Sequence, residues 1–218
     1  MTDTTADPAL CLIAEAHPDA AWVARVAAAL DATRAVTLIL APPAGRAAEP
    51  SALGPLVAMA GARKVAVLVA DDVAAAKASR ADGVHLSWRP EIEDAYAAAR
   101  AALGSSAIVG AEAGSSRHDA MTLGEAGADY VAFAPMLDQA ASADAAREAQ
   151  SHLVAWWAEV FVIPVIAFDA GSADAVAGFI DDGADFVAVR LDRSAPESGD
   201  AAWAASLVAA LDAPADAA

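Results

Sequence analysis

The chain has 218 residues, with 13 Lys and Arg against 30 Asp and Glu, so its formal net charge is −17. One large domain is the default at this length, and 58% hydrophobic residues suffice for a sizeable core. The acidic balance offers no basic stripe to nucleic acid and disfavours an anionic membrane surface; the single cysteine, Cys11, leaves no internal disulfide and no cysteine-based metal cluster.

The segment from Met1 to Asp7 is acidic where a signal peptide is basic, and no apolar run reaches membrane-spanning length. The expectation is a cytoplasmic protein with a flexible N-terminus over 1–8, one domain over 9–212 and a loose tail over 213–218.

Apolar runs of strand length alternate with alanine-rich helical stretches along the whole chain. In order, the sequence predicts a strand at Leu10–Ala14 and a helix at Asp19–Thr33, then Val36–Ala41 and Glu49–Gly61. Val65–Val69 and Val73–Ser79 follow, then Gly83–Leu86 and Glu91–Leu103, then Ile108–Ala111 and Arg117–Ala126. Tyr130–Ala134 precedes Ala143–Val160, Val165–Phe168 precedes Ala173–Asp182, and Phe186–Val189 precedes Ala201–Leu211. Most of these strands are rich in Val and Ile without polar alternation, as parallel strands buried on both faces are.

The helix ends are legible. Ser116, Ser142 and Ser172 stand where N-caps accept from free amides, and Gly127 and Gly183 where helices turn back into strands. Pro164 stops a helix just before the seventh strand. Three joints look alike, with Ala-Asp at 81–82, 128–129 and 184–185 leading into strands four, six and eight. Eight strands and eight helices predict an α/β single-domain (β/α)8 TIM barrel. The doubly wound open sheet, the alternative, would show a glycine-rich first turn.

A barrel carries its reactive groups on the loops after the strands. Those loops bring Glu15 and His17, Arg46, Asp71 and Asp72, Trp88 and Arg89, Glu112, Asp138, Asp169 and Gly171, and Arg190 and Arg193. Carboxylates crowded into one mouth need counter-charge. Arg46, Arg89 and Arg190 can supply it as structural ion pairs, and so can a divalent cation. His17 is the acid–base candidate by position. His85 reads as a core or inward-facing residue, and His118 and His152 as surface residues. Trp88, on a mouth loop, can stack on a flat heterocycle or lid the mouth. Trp156 and Trp157 fill space against the barrel or, with Phe161, form a subunit face. No Gly-x-Ser-x-Gly elbow and no P-loop occurs.

Asp71-Asp72-Val73, followed by Ala81-Asp82-Gly83-Val84-His85-Leu86, resembles the thiamine phosphate synthase/thiazole tautomerase family. Ile108-Val109-Gly110, the run Glu125 to Pro135, Ile163 to Ala167 and Gly183 to Val189 look like the same family. The likeness covers residues 65 to 192. It implies a transferase of thiamine biosynthesis that joins an aminopyrimidine diphosphate to a thiazole phosphate and releases pyrophosphate, with Mg2+ and basic residues holding the diphosphate. By that resemblance Asp71 is the retained Mg2+ ligand. Asp71, Glu112 and His17 become the catalytic candidates, with Trp88, Arg89, Asp169, Gly171 and Arg190 binding the ligand.

Apart from Asp71, the sequence departs repeatedly from the family pattern. The Gln-x-Arg-x-Lys run of the second strand reads Thr37-Leu38-Ile39-Leu40-Ala41, and the family Asn is Ala70. The second Mg2+ Asp falls on Pro90, the Ser after the fifth strand on Glu112, and the paired glycines after the seventh on Asp169 and Ala170. The Thr and Lys beyond the sixth strand are missing from Leu137 to Ser142, and the tautomerase histidine falls on Pro135. Since catalysis of diphosphate departure is mainly charge stabilisation, the expectation is a divergent or catalytically degenerate paralogue, in which Arg190 and Asp169 pair and close the phosphate site. The alternatives are a non-catalytic barrel that binds a small molecule or a partner, and a different divalent-metal enzyme using the mouth carboxylates. A thiamine precursor or other phosphate or heterocycle is the expected ligand, no nucleic acid or membrane is expected, and a homo-oligomer is an open possibility.

Overall fold

The computed structural model describes residues 7–43 and 49–213. Residues 1–6 and 214–218 of the expected flexible ends, and Gly45 and Arg46 of the second mouth loop, lie outside them. Eight parallel strands close into a barrel in sequence order. They are β1 (Ala9–Glu15), β2 (Thr37–Ala41), β3 (Ala66–Ala70), β4 (Gly83–Leu86), β5 (Ile108–Glu112), β6 (Val131–Phe133), β7 (Val165–Ala167) and β8 (Phe186–Arg190). The helices between and after them are α1 (Ala20–Thr33), α2 (Pro50–Gly61), α3 (Val73–Ser79), α4 (Ile92–Leu103), α5 (Arg117–Glu125), α6 (Ala143–Val160), α7 (Ala173–Asp181) and α8 (Asp200–Leu211). The predicted (β/α)8 barrel is thus the architecture found, with element ends shifted by a residue or two.

The alternating strand positions feed two cores. Outward residues such as Leu12, Leu38, Val67, Val109 and Val187 pack under the helices in the larger one. Inward residues, among them Cys11, Ile13, Ile39, Leu68, Tyr130 and Ile166, fill the barrel itself. Several inward residues are small, namely Ala70, Gly110, Ala132 and Ala188, and the ring of Tyr130 takes the space over Gly110. A Cβ at Gly110 would fall inside that ring.

The three similar joints share one task. The Asp82 carboxylate accepts the Val67 amide at 2.7 Å, that of Asp129 accepts Val109 at 2.7 Å, and that of Asp185 accepts Val165 at 2.8 Å. Each aspartate sits just before an even strand and fastens the start of the odd strand before it. Asp82 and Asp129 also donate their own N–H back, to the carbonyls of Val67 and Val109. The pair β1–β2 has no such aspartate, since Ala35 and Val36 precede β2.

Caps set the helix starts. The hydroxyls of Ser116, Ser142 and Ser172 accept from Asp119, Ala145 and Ala175, as predicted, and the carboxylates of Asp19 and Asp72 cap α1 and α3. Gly127 and Gly183 take φ of 85° and 87° at the joints, where a Cβ would be strained. Between β8 and α8 the stretch Arg193–Asp200 holds a 3-10 turn at Glu197–Gly199, and Asp200 opens α8. The cause is Arg25 of α1, whose buried guanidinium donates to both Asp200 oxygens, at 2.6 and 2.8 Å, and to the carbonyls of Asp192 and Arg193. Among the described residues no helix is long and apolar enough to cross a membrane.

Candidate active site at the barrel mouth

The C-terminal ends of the strands carry three arginine–carboxylate pairs. Asp71 follows β3 with a left-handed backbone, φ 60°, which turns its side chain toward the next loop. There its Oδ1 accepts the Ser87 amide at 2.9 Å and the Arg89 guanidinium. Asp169, after β7, repeats the device with φ 60°. Its two oxygens accept Nε and Nη2 of Arg190, each at 3.0 Å. Arg193 completes the set by donating to Glu15 at 3.3 Å. Each of these described mouth arginines is therefore held by a carboxylate of its own chain.

His17 lies beside the third pair. Its Nδ1 faces the Asp19 amide at 3.2 Å and its Nε2 faces Arg193 Nη2 at 3.2 Å. Both neighbours are donors, and a neutral imidazole has one accepting nitrogen. The ring is therefore hemmed in by donors, which does not suit it to pass on a proton.

Glu112 ends β5 and stands apart from the ion pairs. Its Oε2 accepts the Trp88 amide at 3.1 Å, and its Oε1 meets His85 Nε2 at 3.1 Å. On the other side of the ring, His85 Nδ1 meets the Tyr130 hydroxyl at 2.9 Å. His85 is 1% exposed and lies flat on Phe168, with centroids 4.3 Å apart. It is thus both of the things the sequence allowed, a buried residue and an inward-facing one. Burial holds the Tyr130 phenol well above its ordinary range, with the Cys11 and Glu112 charges adding to the effect.

Trp88 is packed against the wall and is not an open platform. A Cβ at Gly114 would lie 2.6 Å from its indole, so the glycine is what lets the ring settle on the loop after β5. Its Nε1 is buried without a hydrogen-bond partner among the described residues. Gly171 lies under the Arg147 guanidinium. A groove of about 320 Å3 begins at Gly114 and Ala134, just past β5 and β6, and runs past Met136 and Gln139 to Gln150. Gln150 ties the ends of β6 and β7 together by donating to the carbonyls of Phe133 and Phe168.

The geometry brings Asp71, Arg89, Trp88 and Glu112 together around the β4–α4 loop, with Asp169 and Arg190 as a second group. Among the described residues no three His, Cys, Asp or Glu side chains stand close enough to hold a metal ion. Asp71 already spends one oxygen on Ser87 and Arg89, and Pro90 offers no ligand, so the donor set does not fit Mg2+. Tyr130 and Gln150 are the residues that sequence reasoning missed. A glycine inside β5 was the signal for the first, since such a glycine marks a close approach.

The family model described as thiamine monophosphate synthase, TMP-TENI, matches residues 10–192. The chain belongs to this family. The thiamine-phosphate synthase of Erythrobacter litoralis is 42% identical over 136 residues, covering 62% of this chain and 62% of that protein. That of Hyphomonas neptunium is 37% identical over 134 residues, covering 62% and 59%. The chain spans about three fifths of the length of these relatives. Among solved structures, thiamine phosphate pyrophosphorylase from Pyrococcus furiosus superposes with a TM-score of 0.68 at 23% identity, over 96% of this chain and 98% of that one. A tryptophan synthase α-subunit from the same organism gives a TM-score of 0.66 at 14% identity, over 93% and 98%. These two likenesses concern the barrel alone.

Proposed function

We propose that this chain is a divergent thiamine phosphate synthase-family barrel that does not catalyse diphosphate displacement, and whose mouth serves a small molecule without phosphate groups. One observation carries this reading: Arg89, Arg190 and Arg193 are each paired with an internal carboxylate. A diphosphate leaving group needs preorganised positive charge, and each missing donor at such a site costs roughly 10²–10³ in rate. Here the guanidinium groups face aspartate or glutamate, and β2 supplies Leu38, Ile39 and Leu40 where cations would be needed. The carboxylate of Asp169 stands where the family cradles phosphate on glycine amides.

The test is pyrophosphate release from the aminopyrimidine diphosphate and thiazole phosphate with Mg2+, coupled to a calorimetric titration with pyrophosphate. The expected outcome is no release above the enzyme-free blank and no binding heat. Release at a rate typical of enzymes, about 1 s⁻¹ or faster, would overturn the reading.

A further inference from the structure

We infer that the N-terminal end of the barrel binds a flat, uncharged, apolar ring. This site lies at the opposite end of the barrel from the mouth and shares no residue with the arginine–carboxylate pairs there.

The strand starts enclose a cavity of about 250 Å3. Its rim is formed by Thr37, Ile108 and Phe186, the first residues of β2, β5 and β8, each half-buried. Its floor is formed by Cys11, Leu68, Tyr130 and Ile166, all buried inside the barrel. Cys11 and Thr37 stand side by side in the register of β1 and β2. Both are short side chains, and neither reaches far enough to plug the lumen.

The chemistry of the wall selects the ligand, because its polar side chains are already matched within the protein. The Cys11 thiol is hydrogen-bonded to Thr37, and the Tyr130 hydroxyl meets His85 Nδ1. The Asp129 carboxylate, at the edge of the cavity, accepts from the Val109 amide and the Arg100 guanidinium. None of these side chains holds a buried polar atom without a partner among the described residues. A water in a cavity needs about two to four polar partners, so this wall holds water poorly. Apolar cavities of about 150 Å3 stay dry and take up benzene; the larger space here admits a ring with a substituent. A charged ligand would lose its hydration against a floor that offers no counter-ion. A flat ring gains more than an alkyl chain, since the Tyr130 and Phe186 rings offer edge and face contacts and the Cys11 sulfur a polarisable one.

The experiment compares toluene with two charged rings, benzoate and benzylammonium, on the whole chain. It reads thermal shift and the methyl NMR signals of Leu68, Ile108 and Ile166. Toluene is expected to raise Tm and to move those three residues' signals, while the two ions at equal concentration do neither. Ile108→Trp, which fills the rim with a ring of its own, is expected to weaken toluene binding about tenfold or more. Val162→Ala, at a fully exposed apolar position outside the cavity, leaves it unchanged. Circular dichroism checks that Ile108→Trp is folded; if it is not, the methyl shifts of the wild type decide. Absence of toluene binding, methyl shifts confined to other residues, binding indifferent to Ile108→Trp, or equal binding of either ion would overturn the site.

Discussion

Arg190 grips Asp169 in a two-pronged hydrogen bond, Nε to Oδ1 and Nη2 to Oδ2, both at 3.0 Å. The pair links adjacent strands β7 and β8 at the place where barrels of this kind commonly bind phosphate. Asp169→Gly removes the competing carboxylate and leaves Arg190 free. The variant is expected to bind inorganic phosphate measurably by calorimetry where the wild type does not. Its stability should change by less than about 1 kcal/mol, since an exposed pair is worth little and glycine relieves the φ of 60°. An unchanged lack of phosphate binding would show that Asp169 is not what closes the site.

The joint aspartates should be costly to remove. Asp185→Ala leaves the Val165 amide without its 2.8 Å acceptor. Hydrogen bonds to charged groups contribute about 1.5–3 kcal/mol, and urea unfolding should report a loss in that range. Asp182→Ala, three residues away but bonded to the half-buried Ser151 hydroxyl, should cost less, about 1 kcal/mol.

Gly110→Ala should be among the most damaging single substitutions, because the new methyl meets the Tyr130 ring inside the closed barrel. A loss of about 3 kcal/mol or more is expected from overpacking. Combining it with Tyr130→Leu should cost less than the sum of the two changes, which a double-mutant cycle in urea measures. Additivity would mean that the ring is not what fills that space.

Burial pushes the Cys11 thiol from its ordinary 9.0 up to about 12, with a hydrogen bond to Thr37 pulling partly back. The folded chain thus holds a proton that the unfolded chain releases above pH 9. The associated stability is complete below pH 9 and is lost as pH rises from there toward about 12, at up to ~1.4 kcal/mol per pH unit. Tyr130, shifted the same way, adds to the loss at the alkaline end. Urea midpoints at pH 8 and 10 should therefore fall for the wild type and fall less for Cys11→Ala. A thiol reagent at pH 8 should label Cys11 only after unfolding.

The strands could be read because Val- and Ile-rich runs such as Val36–Ala41 and Val65–Val69 recur without polar interruption, and the Ser caps and joint glycines because each meets a local demand. The Arg190–Asp169 pair was also legible, since neighbouring strands place those two loops side by side. The trio of Tyr130, His85 and Glu112 was not. His85 is 45 positions from Tyr130 and 27 from Glu112, and their meeting depends on inward register across three strands. Convergence of the mouth carboxylates was expected as one possibility, yet the left-handed turns at Asp71 and Asp169 aim each side chain at a neighbouring arginine and not at the axis. No periodicity in the sequence announces such a turn at an aspartate. His17 was singled out by position, and position says nothing about donors approaching its ring from both sides.

The aspartate clasps at Asp82, Asp129 and Asp185 divide the barrel into cassettes of two strands and the helix between them. The natural seams of the molecule then run between cassettes, as in the turn at Gly104 that joins α4 to β5. A circularly permuted chain opened at that turn keeps every clasp on one continuous segment. Shuffling by recombination would respect the same seams, exchanging whole cassettes while leaving the fastened strand starts undisturbed.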